Sequence, residues 1–240
     1  GPKGGRPVPP LNLVGDYGGG SLYLAFGVMA ALFERQRSGQ GQVVDAAMVD
    51  GAASLASIFY GLQAMGAWDQ PRGANLLDGG APFYDSYETA DGRHITLASL
   101  EPKFFAQLAQ ALGLAPHFVQ RQHDRSLWPE MRLAMAAAVR QHTRDEWCQR
   151  LEGSDTCFAP VLSFEEAPQH AHARERGAFV TVAGVVQPAP APRFDRTPAA
   201  HPQAAPQIGQ HTAELLQQAG YSAQEVQALM AAGVAAGPSA

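Results

Sequence analysis

A chain of 240 residues can form one large domain or two small ones, and its 46% hydrophobic content is enough for a sizeable core. A net charge of −5 gives no basic patch for nucleic acid, and only 16% charged residues points to surface covered by a partner. The longest apolar stretch, Leu22 to Phe33, is too short and too well flanked by charge to span a membrane, and no signal peptide is visible.

The chain opens without methionine in a loop-like Gly/Pro/Lys run, Gly1 to Pro10, and is expected to be a piece of something longer. A helix is expected from about Gly19 to Arg37, with Leu22, Phe26, Met29, Ala30 and Phe33 at three- and four-residue steps. Arg35 and Arg37 suit its negative end, and Ser38-Gly39 stops it. Gln42 to Ala46 reads as a short buried strand, and Val49 to Met65 as a second helix rich in small residues. Gly66 to Ala81 is a linker and turn.

Two β-like runs, Phe83 to Thr89 and Arg93 to Ala98, flank Asp91-Gly92 and predict a hairpin. Helices follow at Pro102 to Leu112, Leu127 to Gln141 and Thr143 to Leu151, and Cys157 to Leu162 reads as a strand. Thr143/Glu146, Ser163/Glu166 and Ser222/Glu225 have capping-box spacing. A charged helix is expected over Glu166 to Arg176 and a β-like run over Phe179 to Val186. Gln187 to Gln207 is a Pro/Ala-rich linker, Thr212 to Ala219 and the segment after Ser222 are helices, and Ala231 to Ala240 is a mobile tail.

Among candidate chemistries, Asn12-Leu13-Val14-Gly15-Asp16-Tyr17-Gly18-Gly19-Gly20 stands out. A carboxylate precedes three glycines and a helix start, where free N–H groups and the positive end of the dipole stabilise negative charge. Helix capping by Asp16 explains the same residues, and from these residues alone it is the stronger reading. Glu101, after an apolar strand and before Pro102, likewise reads as a helix-start carboxylate. His170 and His172 point in different directions on a predicted helix, and His94 lies on the outward face of a strand, so no metal site is expected. Gly18-Gly19-Gly20 lacks the Lys and Ser/Thr of a phosphate loop, and Asp45 and Asp50 suit capping. Cys148 and Cys157 match no metal spacing and are expected reduced, in the cytoplasm.

The Asn12–Gly20 segment resembles the active-site segment of α-methylacyl-CoA racemases, within the family III CoA-transferase superfamily. The likeness continues through Ala31-Leu32-Phe33-Glu34-Arg35, Gly39 to Gly51, Arg72 to Asp85 and Glu101-Pro102-Lys103-Phe104. The resemblance implies an α/β fold: part of a large, Rossmann-like CoA-binding domain plus a smaller α+β domain, in an interlocked homodimer. It divides the chain into the end of the large domain (1–50), a linker helix and loop (51–81), the small domain (82–178), a return linker (179–207) and helices returning to the large domain (208–240).

The same resemblance makes Asp16 a catalytic proton carrier and Glu101 the partner of a catalytic histidine. That histidine and most CoA contacts have no counterpart in these residues and are expected upstream. Asn12, Gly18, Gly19, Gly20 and Tyr84 would line the substrate site. The implied reaction is racemisation at C2 of a 2-methylacyl-CoA thioester through an enolate, with no cofactor and no metal. A CoA-transferase using Asp16 as nucleophile is the alternative, and a non-catalytic dimerisation fragment is the alternative from another class. The substrate expected is an acyl-CoA; nucleic acid and membrane are not expected partners.

Overall fold

The computed structural model describes residue 1 and residues 3–238; Pro2 of the opening loop and the last two residues of the expected tail lie outside the described residues. The chain forms two compact units, Gly1–Val161 and Leu162–Ala240. In the first, a π-helical segment (Leu13–Leu22) runs into α1 (Tyr23–Ser38), which ends at Gly39 with φ 76°. The expected strand at 42–46 does not form: the segment is extended and unpaired, with Val43 94% exposed. A strand needs a neighbour for its N–H and C=O groups, and no described residue supplies one.

The single helix expected over Val49 to Met65 is two helices, α2 (Met48–Leu55) and α3 (Ser57–Ala64), broken at Ala56. Among the described residues 1–65, only Gly19, Gly20 and Gly51 are buried. Helix α1, with Leu22 just before it, carries Leu22, Phe26, Met29 and Phe33 along one line and Leu24, Val28 and Leu32 along another, all between 42 and 74% exposed. At 3.6 residues per turn the two stripes lie roughly 130° apart. A helix apolar on two sides belongs inside a larger body.

The core of this unit lies downstream. β1 (Tyr84–Glu88) and β2 (His94–Ala98) form the expected hairpin, with Tyr87 opposite Ile95 and Gly92 at φ 72° in the turn. β3 (Phe158–Pro160) adds antiparallel to β2, with Ile95 opposite Pro160. Helices α4 (Pro102–Ala111), α5 (Pro116–Gln120), α6 (Trp128–Val139) and α7 (Arg144–Leu151) bring Phe105, Leu108, Met131, Met135, Val139 and Trp147 together with Phe83, Ile95 and Leu97. Ring centroids of Phe83 and Phe105 stand 5.4 Å apart. The capping box at α7 forms: Thr143 Oγ1 accepts from the Glu146 N–H at 3.2 Å, and the Glu146 carboxylate accepts from the Thr143 N–H at 2.7 Å.

In the second unit, Ser163 and Glu166 make the reciprocal capping bonds. No continuous helix follows: a 3₁₀ turn (Ala167–Gln169) breaks at His170, with ψ 135°, before the five-residue α8 (Ala171–Glu175). The β-like run is a hairpin, β4 (Phe179–Val182) and β5 (Val185–Pro188), turned by Ala183 and Gly184, both at positive φ. Helices α9 (Thr212–Gln218) and α10 (Ala223–Ala231) close the chain, α10 under the Ser222/Glu225 capping box. The tail does not simply trail away: a Cβ on Gly209 would lie 2.4 Å from the Gly237 oxygen.

Candidate active site

The Asp16 segment owes its shape to a wide turn. The Tyr17 N–H reaches the Asn12 carbonyl at 3.3 Å, five residues back, while the Asp16 N–H shares that acceptor at 3.2 Å. Such π-turns recur at functional positions. Gly19 and Gly20 let α2 come close: a Cβ on Gly19 would stand 2.7 Å from the Ala52 nitrogen, and one on Gly51 only 1.9 Å from the Gly19 oxygen. Gly18 is half-buried beside Leu55. The α-carbons of Gly19 and Gly20 thus face α2, a packing demand that the sequence reading did not include.

Asp16 does not cap. Asn12 holds the N-cap position, and no described residue donates a hydrogen bond to the exposed Asp16 carboxylate. Ser21 Oγ donates instead to the Asp16 main-chain oxygen at 3.1 Å. The Asn12 amide is also exposed, without a described side-chain bond. Asp45 and Asp50 make no cap bond either; α2 starts after Ala47.

Glu101 sits at the N-cap of α4, directly before Pro102, with extended backbone (φ −77°, ψ 137°) and no side-chain cap bond. Its main-chain oxygen accepts from the Phe104 and Phe105 N–H groups, each at 3.0 Å, and its side chain is exposed. Beside it lies Cys157, at φ 49°. Burial pushes the Cys157 thiol up, and the Glu101 and Asp155 carboxylates add to that. Burial also pushes Cys148 up, to about 11, with Glu152 adding to it; both cysteines are free thiols.

Tyr84 opens β1 opposite Ala98 and packs half-buried against the core. No hydrogen bond or ion pair among the described residues joins Asn12, Asp16, Tyr84 and Glu101. The two carboxylates are presented on separate elements, one on the π-helix packed on α2 and one at the exit of β2. Neither lines the cavity of about 780 Å³ whose walls include Lys3, Asp78, Asp85, Arg125, Trp128 and Arg132.

That cavity is framed by a knot the sequence did not reveal. Arg132 pairs with Asp85 and donates to the Gly79 and Gly80 oxygens at 2.6 and 3.0 Å. Burial disfavours charge on Asp78, but donors from Asn75, Gly80 and Gly73 outweigh it and hold the carboxyl below the usual range. Among the described residues no group of three or more His, Cys, Asp or Glu is disposed to hold a metal, and no helix is long and apolar enough to cross a membrane.

The sequence model of CoA-transferase family III matches residues 1–212. The chain belongs to this family. It is 48% identical over 229 residues to the α-methylacyl-CoA racemase of Mus musculus and 44% identical over 228 residues to that of Homo sapiens. Each match covers 94% of this chain and 60% of the relative, so this family III chain spans about three fifths of the curated relatives' length. A CAIB/BAIF family protein from Brucella suis superposes with a TM-score of 0.72 at 18% identity, covering 91% of this chain and 58% of that one. That likeness speaks for the fold alone: the α/β fold of family III.

Proposed function

We propose that this chain supplies the aspartate half of an α-methylacyl-CoA racemase site. In the reading, Asp16 and a histidine from outside these residues stand on opposite faces of C2 of a 2-methylacyl-CoA: one takes the C2 proton, the other delivers a proton to the opposite face, and the roles swap for the other enantiomer. A thioester suits the step because its carbonyl is little delocalised toward sulfur, so the enolate forms more readily than from an ester. The observation that carries the reading is the free carboxylate of Asp16, which neither caps its helix nor pairs with any described residue.

Glu101 is assigned to hold the histidine and favour its protonated form, and its exposed, unbonded carboxylate is available for that. Asn12, Tyr84 and the Gly18–Gly20 backbone are assigned to the substrate side. Residues 1–50 belong to the large domain in this reading and 82–178 to the small one, with a homodimer completing the site. The test is α-deuterium exchange on a 2-methylacyl-CoA in deuterated buffer, with the thioester recovered intact. Exchange with retention of CoA on its own acyl group supports racemisation. Transfer of CoA to an added carboxylic acid, with no exchange, replaces it with aspartyl-mediated transfer.

A further inference from the structure

We propose that Gln122 is the positioning residue for Glu101. The inference rests on the reading of Glu101 above and adds the element that aims it. Gln122 is 3% exposed, and its amide nitrogen donates to the main-chain oxygens of both Ser99 and Leu100, at 3.0 and 3.1 Å. These are the last two carbonyls before Glu101, at the point where β2 has ended and α4 has not begun. Neither belongs to a sheet ladder or a helix, so without Gln122 both would be left to find other donors.

The other side of the same turn is pinned independently. Ser99 Oγ donates to the Thr156 oxygen at 2.7 Å, and the Ala98 N–H to the Cys157 oxygen at 3.0 Å. Gln122 is itself fixed, because its main-chain oxygen accepts from Trp128 Nε1 at 2.9 Å. The backbone entering Glu101 is therefore held from two directions, and the side chain leaves it into solvent.

The amide's own oxygen shows what the residue is for. Gln122 Oε1 is buried and has no hydrogen-bond partner among the described residues. An acceptor left bare in the interior costs stability. A residue placed only to fill volume would avoid that cost as methionine or leucine. Glutamine does what they cannot: it presents two N–H donors from one atom to two adjacent carbonyls.

Cys157 provides a reporter that needs no catalysis. The Glu101 and Asp155 charges both act on its thiol, so its alkylation rate against pH registers whether Glu101 is in place. The experiment measures iodoacetamide alkylation of Cys157 across pH in the full chain carrying Cys148→Ala. The variants are Glu101→Gln, Gln122→Met and both together. Removing the Glu101 charge lowers the thiol's pKa and raises the rate near neutral pH, by about two- to threefold for a screened surface interaction.

Gln122→Met should give a comparable rise, because Glu101 swings away. Added to Glu101→Gln it should change nothing further. If Gln122→Met accelerates alkylation equally in the Glu101→Gln background, it merely loosens packing around Cys157, and the proposal is overturned. An unchanged profile with Gln122→Met in the Glu101 background overturns it as well. The catalytic reading fails separately, if Glu101→Gln leaves α-proton exchange intact in the assembled enzyme while the thiol results hold.

Discussion

Replacing Asp78 by asparagine probes the knot that leads into Tyr84. Asp78 Oδ1 accepts from the N–H groups of Asn75 and Gly80 at 2.8 and 3.1 Å; Oδ2 accepts from the Gly73 N–H and Asn75 Nδ2 at 3.0 and 2.8 Å. Asparagine keeps the shape but turns one oxygen into a donor, so two of the four bonds become donor facing donor. A bond to a charged group contributes about 1.5–3 kcal/mol, and the half-buried loop places each at the low end. The expected loss is therefore about 2–4 kcal/mol, read as a lowered urea midpoint with tryptophan fluorescence, Trp128 reporting from the same cavity wall.

The pH dependence has a definite sign. The folded-state carboxyl of Asp78 lies below its ordinary value, so its contribution is present above about pH 4 and fades as pH falls through the folded value. The gap between parent and variant should narrow in acid. An unchanged midpoint at neutral pH, or a gap that widens in acid, would refute the reasoning.

Three further outcomes are expected. Asp16→Asn should cut α-proton exchange in the assembled enzyme by roughly 10²–10⁴-fold, the usual range for a proton carrier, while leaving thioester affinity largely intact; wild-type exchange by this variant would remove Asp16 from the chemistry. Glu101→Gln should lower the pKa of the histidine it holds, shifting the pH profile of turnover with each substrate enantiomer, and an unshifted profile would reduce Glu101 to a helix-start residue. Replacing both Phe26 and Phe33, each exposed on α1, with serine should reduce self-association of the isolated chain in sedimentation; equal association would mean that another surface drives it.

What the sequence revealed was what neighbouring residues decide among themselves. The Asp91-Gly92 hairpin and the Thr143/Glu146 and Ser222/Glu225 boxes depend on residues within a few positions, and all formed. Ser163 and Glu166 made the same bonds, yet their helix broke after one 3₁₀ turn, because a cap starts a helix and does not sustain it. The strand at 42–46 failed for want of a neighbour, and Ala183-Gly184 hid a turn inside an apolar run. Asp16 and Glu101 were singled out by short motifs, and their roles rest with the proposal above. The clasp around the Asp78 loop was not legible, since Arg132 reaches the Gly80 and Gly79 oxygens from 52 and 53 residues away, and Gln122 meets Ser99 across 23.

The seam between Gly19 and Gly51 has a consequence for how such a protein changes over time. The two segments touch main chain to main chain, so the distance between the Asp16 turn and α2 is set by atoms that every residue shares. A side chain on the open side of α2, such as the exposed Val49, is free to vary in size without shifting that turn. The two glycines are not free: a methyl group at either position pushes the same seam apart, and enlarging the second cannot compensate for enlarging the first. Tolerance and intolerance to substitution therefore sit side by side on one short helix, and new side-chain surfaces can be tried there while the carboxylate stays where it is.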